Sequence, residues 1–311
     1  MRFFPIVLAA VAVVASPLAS GCGGKTEQAT SAGDSAVDSG TTDSPIDATP
    51  PAAGQKLLFE AGYVNGAWGY TYSGVYVNAA GEVWSYSAPQ ANPPPTTQPT
   101  PHAGMTEAEI TAKYASKPKL LTTLPTGEAL QMYALLSLAE SGMLLRQSLC
   151  ADAGDTTYVG WRYDAATALY APVVLGMSGD TSARSTAPAA GQVVAWLQKV
   201  GAMSADFCAP PAPLACSGSG CKPATCAQSW QVPACDGTCV SPAQCDAVAS
   251  CAACSNGTSC LVDAAGQTHC SVVWGCSSGA TSCDCAGDQI CAGGKAWCRG
   301  DAITGFRCER P

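Results

Sequence analysis

Apolar and polar positions alternate through Gly74-Val75-Tyr76-Val77-Asn78 and through Glu82-Val83-Trp84-Ser85-Tyr86, on either side of Ala79-Ala80-Gly81. A period of two bounded by a small-residue turn predicts a β-hairpin. Upstream, Leu57–Val64 and Trp68–Tyr72 flank Asn65-Gly66, a strong short hairpin signal, and predict a second strand pair. The period then changes. Thr106 with Glu109 forms a capping-box pattern ahead of Ile110 and Tyr114, and a longer helix is expected from about Gly127 to Ser141, with Gly142 as its stop. Residues 157–163 and 168–176 predict another strand pair. A last helix opens at Pro188 and runs to Val200, with Val193, Val194 and Leu197 on one face. Strands, helices, strands and a helix, in that order, predict an α+β fold: an antiparallel sheet with helices on one side, over residues 55–208.

The pattern fails at both ends of this region. Residues 23–53 hold Val37 and Ile46 as their only large aliphatics among Ser, Thr, Asp, Ala, Gly and Pro. Such a stretch cannot bury enough apolar surface to fold, so 22–54 reads as a disordered linker. A coil of this length averages roughly 30 Å end to end and reaches about 100 Å when extended. Asp34, Asp38, Asp43 and Asp47 lack the alternate spacing of a calcium loop. Residues 209–311 contain 16 cysteines against 11 Leu, Ile, Val, Phe or Met. At that density covalent cross-links replace a hydrophobic core, and a small disulfide-rich domain with little regular secondary structure is expected.

The first 22 residues decide how those cysteines are read. Arg2 leads an apolar run from Phe3 to Ala19, followed by Ser20-Gly21-Cys22. This segment resembles the signal peptide and lipobox of bacterial lipoproteins, with Ala19 where Leu is usual. The resemblance implies removal of residues 1–21, acylation of Cys22 by diacylglycerol and a fatty acid such as palmitate, and, with Gly23 rather than Asp next, an outer-membrane anchor. The alternatives are an ordinary secretory signal cut near Ala19 and a retained membrane helix. The run falls short of the roughly 20 apolar residues a spanning helix needs. Export implies an oxidising compartment. With Cys22 set aside, eighteen cysteines remain, and all are read as disulfide-bonded. Cys150 is expected to pair with Cys208. Eight bridges are expected among Cys216, Cys221, Cys226, Cys235, Cys239, Cys245, Cys251, Cys254, Cys260, Cys270, Cys276, Cys283, Cys285, Cys291, Cys298 and Cys308. The tail is similar, in spacing style, to EGF-like or follistatin-like modules. The segment Trp68–Tyr86, with Asp155-Thr156-Thr157-Tyr158 and the Trp196-Leu197 helix, resembles a family of uncharacterised exported bacterial proteins.

Charge narrows the partners. A formal net charge of −8 with no basic stripe argues against nucleic acid. Catalytic candidates are few: His102 lies in a Pro-rich loop, His269 beside Cys270, and Ser116-Lys117-Pro118-Lys119 satisfies S-x-x-K with a proline that spoils a helix. No Gly-rich phosphate loop precedes a helix, and no cofactor is expected. Cys251, Cys254, Cys260, Cys270 and His269 have zinc-like spacing, but export favours disulfides, so no metal is assigned. Among Glu60, Glu82, Asp155, Asp164 and Asp180, two could meet as a hydrolytic carboxylate pair. Tyr70, Tyr72, Tyr76, Trp84 and Tyr86 define the preferred site, an aromatic sheet face facing an extracellular protein or polysaccharide. The expected function is a lipid-anchored envelope binding module, ahead of a purely structural envelope protein and of a carboxylate hydrolase.

Overall fold

The structure is a computed structural model. It describes residues 49–67, 71–89, 104–125, 127–148 and 150–201, and in the tail 225–228, 231–234, 237–240, 247–254, 258–272, 290–292, 297–300 and 305–309. Its elements run β1 (Leu57–Asn65), β2 (Thr71–Asn78), β3 (Glu82–Pro89), β4 (Met105–Thr106), α1 (Glu107–Tyr114), β5 (Lys119–Thr123), α2 (Glu128–Ala134) and α3 (Leu136–Ala139). There follow β6 (Leu144–Ser148), β7 (Asp155–Asp164), β8 (Leu169–Gly179), β9 (Thr181–Ser185) and α4 (Pro188–Val200). These strands form one antiparallel sheet in the order β5-β3-β2-β1-β7-β8-β9-β6, with β4 paired to β8. The fold is sheet-dominated, with few helices. No described helix is long and apolar enough to cross a membrane.

The β2–β3 hairpin forms where alternation predicts it. Gly81 takes φ +80° at the turn, and Asn78 Oδ1 accepts from the amides of Ala80 and Glu82. Residues 71–72 and 74–78 do not belong to separate strands, since Thr71–Asn78 is one strand paired along its length with β1; residues 68–70 lie outside the described residues. The helix expected over 127–141 is two short helices, α2 and α3, that meet at Leu135. The capping box on α1 and the start and end of α4 match the sequence reading.

Helices lie on both faces of the sheet, which corrects the one-sided arrangement. On one face, Phe59, Ala61, Val75, Val77, Val173 and Leu175 pack against Tyr133 of α2, Leu136 of α3, and Val193, Trp196 and Leu197 of α4. On the other, Tyr72, Tyr86, Val159, Trp161 and Tyr170 pack against Ile110 and Tyr114 of α1. The physical reason is that β1, β2 and β7 are apolar at both parities. In β2, Val75 and Val77 cover one side while Tyr72 and Tyr76 cover the other, so each face needs its own cover. Fully burying one such large side chain contributes about 1.5–3 kcal/mol.

The tail contributes short strands and cross-links. These are β10 (Val232–Pro233) with β11 (Cys239–Val240), β12 (Ala247–Val248) with β14 (Thr268–Ser271) and β13 (Ser259–Val262), and β15 (Trp297–Arg299) with β16 (Arg307–Glu309). Disulfides join Cys226–Cys239, Cys251–Cys260, Cys254–Cys270 and Cys291–Cys308. Cys150 is disulfide-bonded, and its expected partner Cys208 lies outside the described residues, as do Cys22, Cys216, Cys221, Cys235, Cys245, Cys276, Cys283 and Cys285.

The tail does not stand apart from the sheet. Val272 N donates to Arg146 O, and Arg146 N to Ser271 Oγ, each at 2.9 Å. Val174 N donates to Ala292 O at 2.8 Å, and Met143 bridges to Cys291. The outer edge of β6 is therefore occupied by two disulfide-held pieces of the tail. The outer edge of β5, at the far end of the sheet, has no partner strand among the described residues.

Candidate functional site

The aromatic face is built around a glutamate. Gly62 and Gly74 are cross-strand partners, and Gly74 in turn faces Tyr86. A Cβ at Gly74 would stand 2.6 Å from the Tyr86 hydroxyl, and one at Gly62 would stand 2.8 Å from Glu60 Oε1. The glycine pair thus leaves a shallow floor across which Tyr86 lies and donates to Glu60 Oε1 at 2.6 Å. Tyr114 donates to Oε2 at 2.7 Å, and Lys113 Nζ lies 2.8 Å from Oε2 and 2.7 Å from Oε1. Glu60 and Lys113 are 2% and 6% exposed, so this ion pair is sealed from water.

Lys113 is held by rings as well as by charge. Its ammonium lies 5.7 Å from the Tyr72 ring centroid, 5.6 Å from Tyr114 and 5.7 Å from Trp161. A desolvated cation over aromatic faces gains roughly 2 kcal/mol or more. Tyr72 Oη and Trp161 Nε1 are buried there without a well-formed hydrogen bond. Gln55 ties the two faces together: its Nε2 donates to Trp161 O at 2.7 Å, and its Oε1 accepts from Tyr133 at 2.9 Å.

Burial, and then the Glu60 charge, push the hydroxyls of Tyr72, Tyr86 and Tyr114 well above the ordinary tyrosine range. A raised phenol pKa means that the folded state favours the neutral ring. The stability this contributes is complete below the unfolded value of about 10 and is lost as pH rises beyond it. These three rings should therefore ionise only as the fold opens. An alkaline titration of phenolate absorbance should show them appearing together with loss of the near-ultraviolet dichroism. Three phenolates formed while that dichroism is intact would contradict this.

The residues expected to form the exposed aromatic face separate into two groups. Tyr72 and Tyr86 are each 2% exposed, covered by α1, which corrects their place in a binding surface. Tyr70 lies outside the described residues. Tyr76 and Trp84 are half-buried and lie directly opposite each other on β2 and β3. Tyr76 stacks on Tyr114 with centroids 4.3 Å apart and planes at 21°. Trp84 faces Leu120 of β5, which is 43% exposed. One row, Tyr76-Trp84-Leu120, thus runs from the rim of α1 to the sheet edge. Beside it, Glu82 Oε2 accepts from Asn78 Nδ2 at 2.7 Å and Trp84 Nε1 at 3.1 Å, and these bonds hold its carboxyl below the ordinary range. The indole is fixed by a hydrogen bond and presents its surface to solvent in a set orientation.

The other candidates are placed as follows. Asp155 Oδ1 accepts from Thr181 N, Asp164 Oδ1 from Ala166 N, and Asp180 from the amides of Ala153 and Gly154. Asp155 and Asp180 come to the same end of the sheet, and both direct oxygens at backbone donors there. His269 is buried, with Nε2 3.1 Å from Asp263 Oδ2. The sulfurs of Cys251, Cys254, Cys260 and Cys270 are joined in pairs. No cluster of three or more His, Cys, Asp or Glu side chains suited to a metal occurs among the described residues. His102 lies outside them. The Glu60–Lys113 pair was missed by sequence reasoning. Its signal was a lysine at the i+3 position from Ile110, next to Tyr114, on the apolar stripe of α1. No known protein family, curated protein or solved structure matches this chain.

Proposed function

We propose that this protein is a lipid-anchored module of the bacterial cell envelope that binds an extracellular partner through the Tyr76-Trp84-Leu120 row. The observation that carries the reading is that row itself. Two aromatic rings and a leucine stay partly open to solvent beside the covered Tyr72 and Tyr86, and Trp84 is oriented by Glu82. Aromatic side chains that are apolar in body and polar at one tip suit binding surfaces. The disulfide-rich tail fits an oxidising compartment. The Ser20-Gly21-Cys22 junction supplies the anchor, and buried acyl methylenes contribute about 0.8 kcal/mol each to membrane attachment.

The test separates anchor from surface. Cys22→Ser should abolish incorporation of labelled palmitate and release the protein from membranes. The released protein should still co-sediment with delipidated cell envelopes, and adding Trp84→Ala should weaken that association at least tenfold with an unchanged melting temperature. Association that is indifferent to Trp84→Ala would remove the row as the binding surface.

A further inference from the structure

The two edges of the main sheet are treated differently. The β6 edge is occupied by tail residues 271–272 and 291–292. The β5 edge has no partner strand among the described residues, and all five of its residues are exposed, with Leu120 at 43% and Leu121 at 41%. An open strand edge offers a row of backbone N–H and C=O groups, and the ligand that satisfies such a row is another extended polypeptide. A sugar chain or a lipid surface has no matching repeat of donors and acceptors.

The side chains narrow the choice further. Lys117 and Lys119 are both exposed and make no ion pair among the described residues. Lys117 sits in the left-handed region at φ 47°, where the chain leaves α1, and Ser116 Oγ donates to Ser87 O at 2.8 Å, which fixes where β5 begins. The edge thus starts with two positive charges in a chain whose formal net charge is −8, and continues into two leucines. Leu121 is the extra residue of a bulge, since Val83 faces Thr122 while Trp84 faces Leu120. Edge lysines oppose pairing with basic strands, whereas an acidic strand gains attraction from the same lysines.

We propose that the open edge of β5 is a strand-addition site for an extended acidic segment of a partner protein. This rests on the reading of the protein as an interaction module, and it extends the Tyr76-Trp84-Leu120 row by one strand. Acidic side chains of the added strand face Lys117 and Lys119, and its apolar side chains meet Leu120 and Leu121.

The probe is a labelled twelve-residue peptide of alternating Val and Glu, with its Val and Lys counterpart as control, added to the full-length protein. The Glu peptide should bind saturably, at least tenfold tighter than the Lys peptide, and more weakly as salt is raised. It should slow hydrogen exchange of the 119–123 amides. Lys119→Glu should reverse the preference between peptides, and Leu121→Pro should abolish binding of both. Equal binding of the two peptides, or unchanged exchange at 119–123, overturns the proposal. So does protection of those amides in a dimer without peptide, which would identify a second copy as the occupant. If the peptide fails while the Cys22→Ser protein still co-sediments with delipidated envelopes, strand addition falls and the interaction reading stands. If co-sedimentation fails too, both fall.

Discussion

Replacing Glu60 with alanine is expected to destabilise the sheet by about 3–5 kcal/mol, the range for removing one partner of a buried ion pair. The loss exceeds what the pair itself contributes, because Lys113 stays behind at 6% exposure with its charge uncompensated. Tyr86 and Tyr114 also lose the acceptor they share. For a protein of this size the melting temperature should fall by on the order of 10 °C. Lys113→Met alone should likewise destabilise, since it leaves a buried carboxylate with only phenol donors. Glu60→Leu combined with Lys113→Met should recover most of the loss, because a well-packed apolar pair is often as stable as the ion pair it replaces. Thermal unfolding followed by circular dichroism reads all three variants. A shift of less than about 2 °C for Glu60→Ala would mean that water reaches the pair and that α1 is not sealed over it.

The same residues show how far the sequence is legible. The β2–β3 hairpin, the α1 capping box and the extent of α4 can be read from local signals: alternation around Ala79-Ala80-Gly81, Thr106 with Glu109, and a proline at the first helical position. Those signals act within a few residues. The strands β5, β6 and β9 were not legible, because each is five residues long and owes its strand form to a neighbour already in the sheet. The cover on the second face was missed for a related reason. Leu57–Val64 reads as one apolar run, and nothing local says that Glu60 in its midst faces a lysine 53 residues away. A carboxylate inside a strand apolar on both faces is the available clue. Alternation places Tyr72, Tyr76, Trp84 and Tyr86 on one sheet face. Their division into buried Tyr72 and Tyr86 and half-buried Tyr76 and Trp84 depends on where α1 ends, which alternation does not encode.

Ending the chain after Cys208 is expected to make the protein self-associate through the uncovered β6 edge. The truncation removes the partners of Arg146 N, Arg146 O and Val174 N, together with the Met143–Cys291 bridge. It also uncovers Leu144 and Val174, which pack with Ala292. Three hydrogen bonds of about 1 kcal/mol each and two apolar side chains of about 1.5–3 kcal/mol each place the loss at about 6–9 kcal/mol. The qualitative effect is larger. Strand β6 then becomes a bare edge, and unlike β5 it carries Leu144 and Leu145 without an exposed lysine beside them, its one charged side chain, Arg146, being turned onto Met177 with Nη1 3.1 Å from Sδ. Light scattering after gel filtration should show dimers and larger species, and hydrogen exchange should place new protection at 144–148 as concentration rises. Reducing the intact protein should move it in the same direction, because the two segments that occupy the edge are held in shape by Cys254–Cys270 and Cys291–Cys308. A truncated chain that stays monomeric, with β6 amides as slow to exchange as in the full protein, would show that the tail rests on the edge without guarding it.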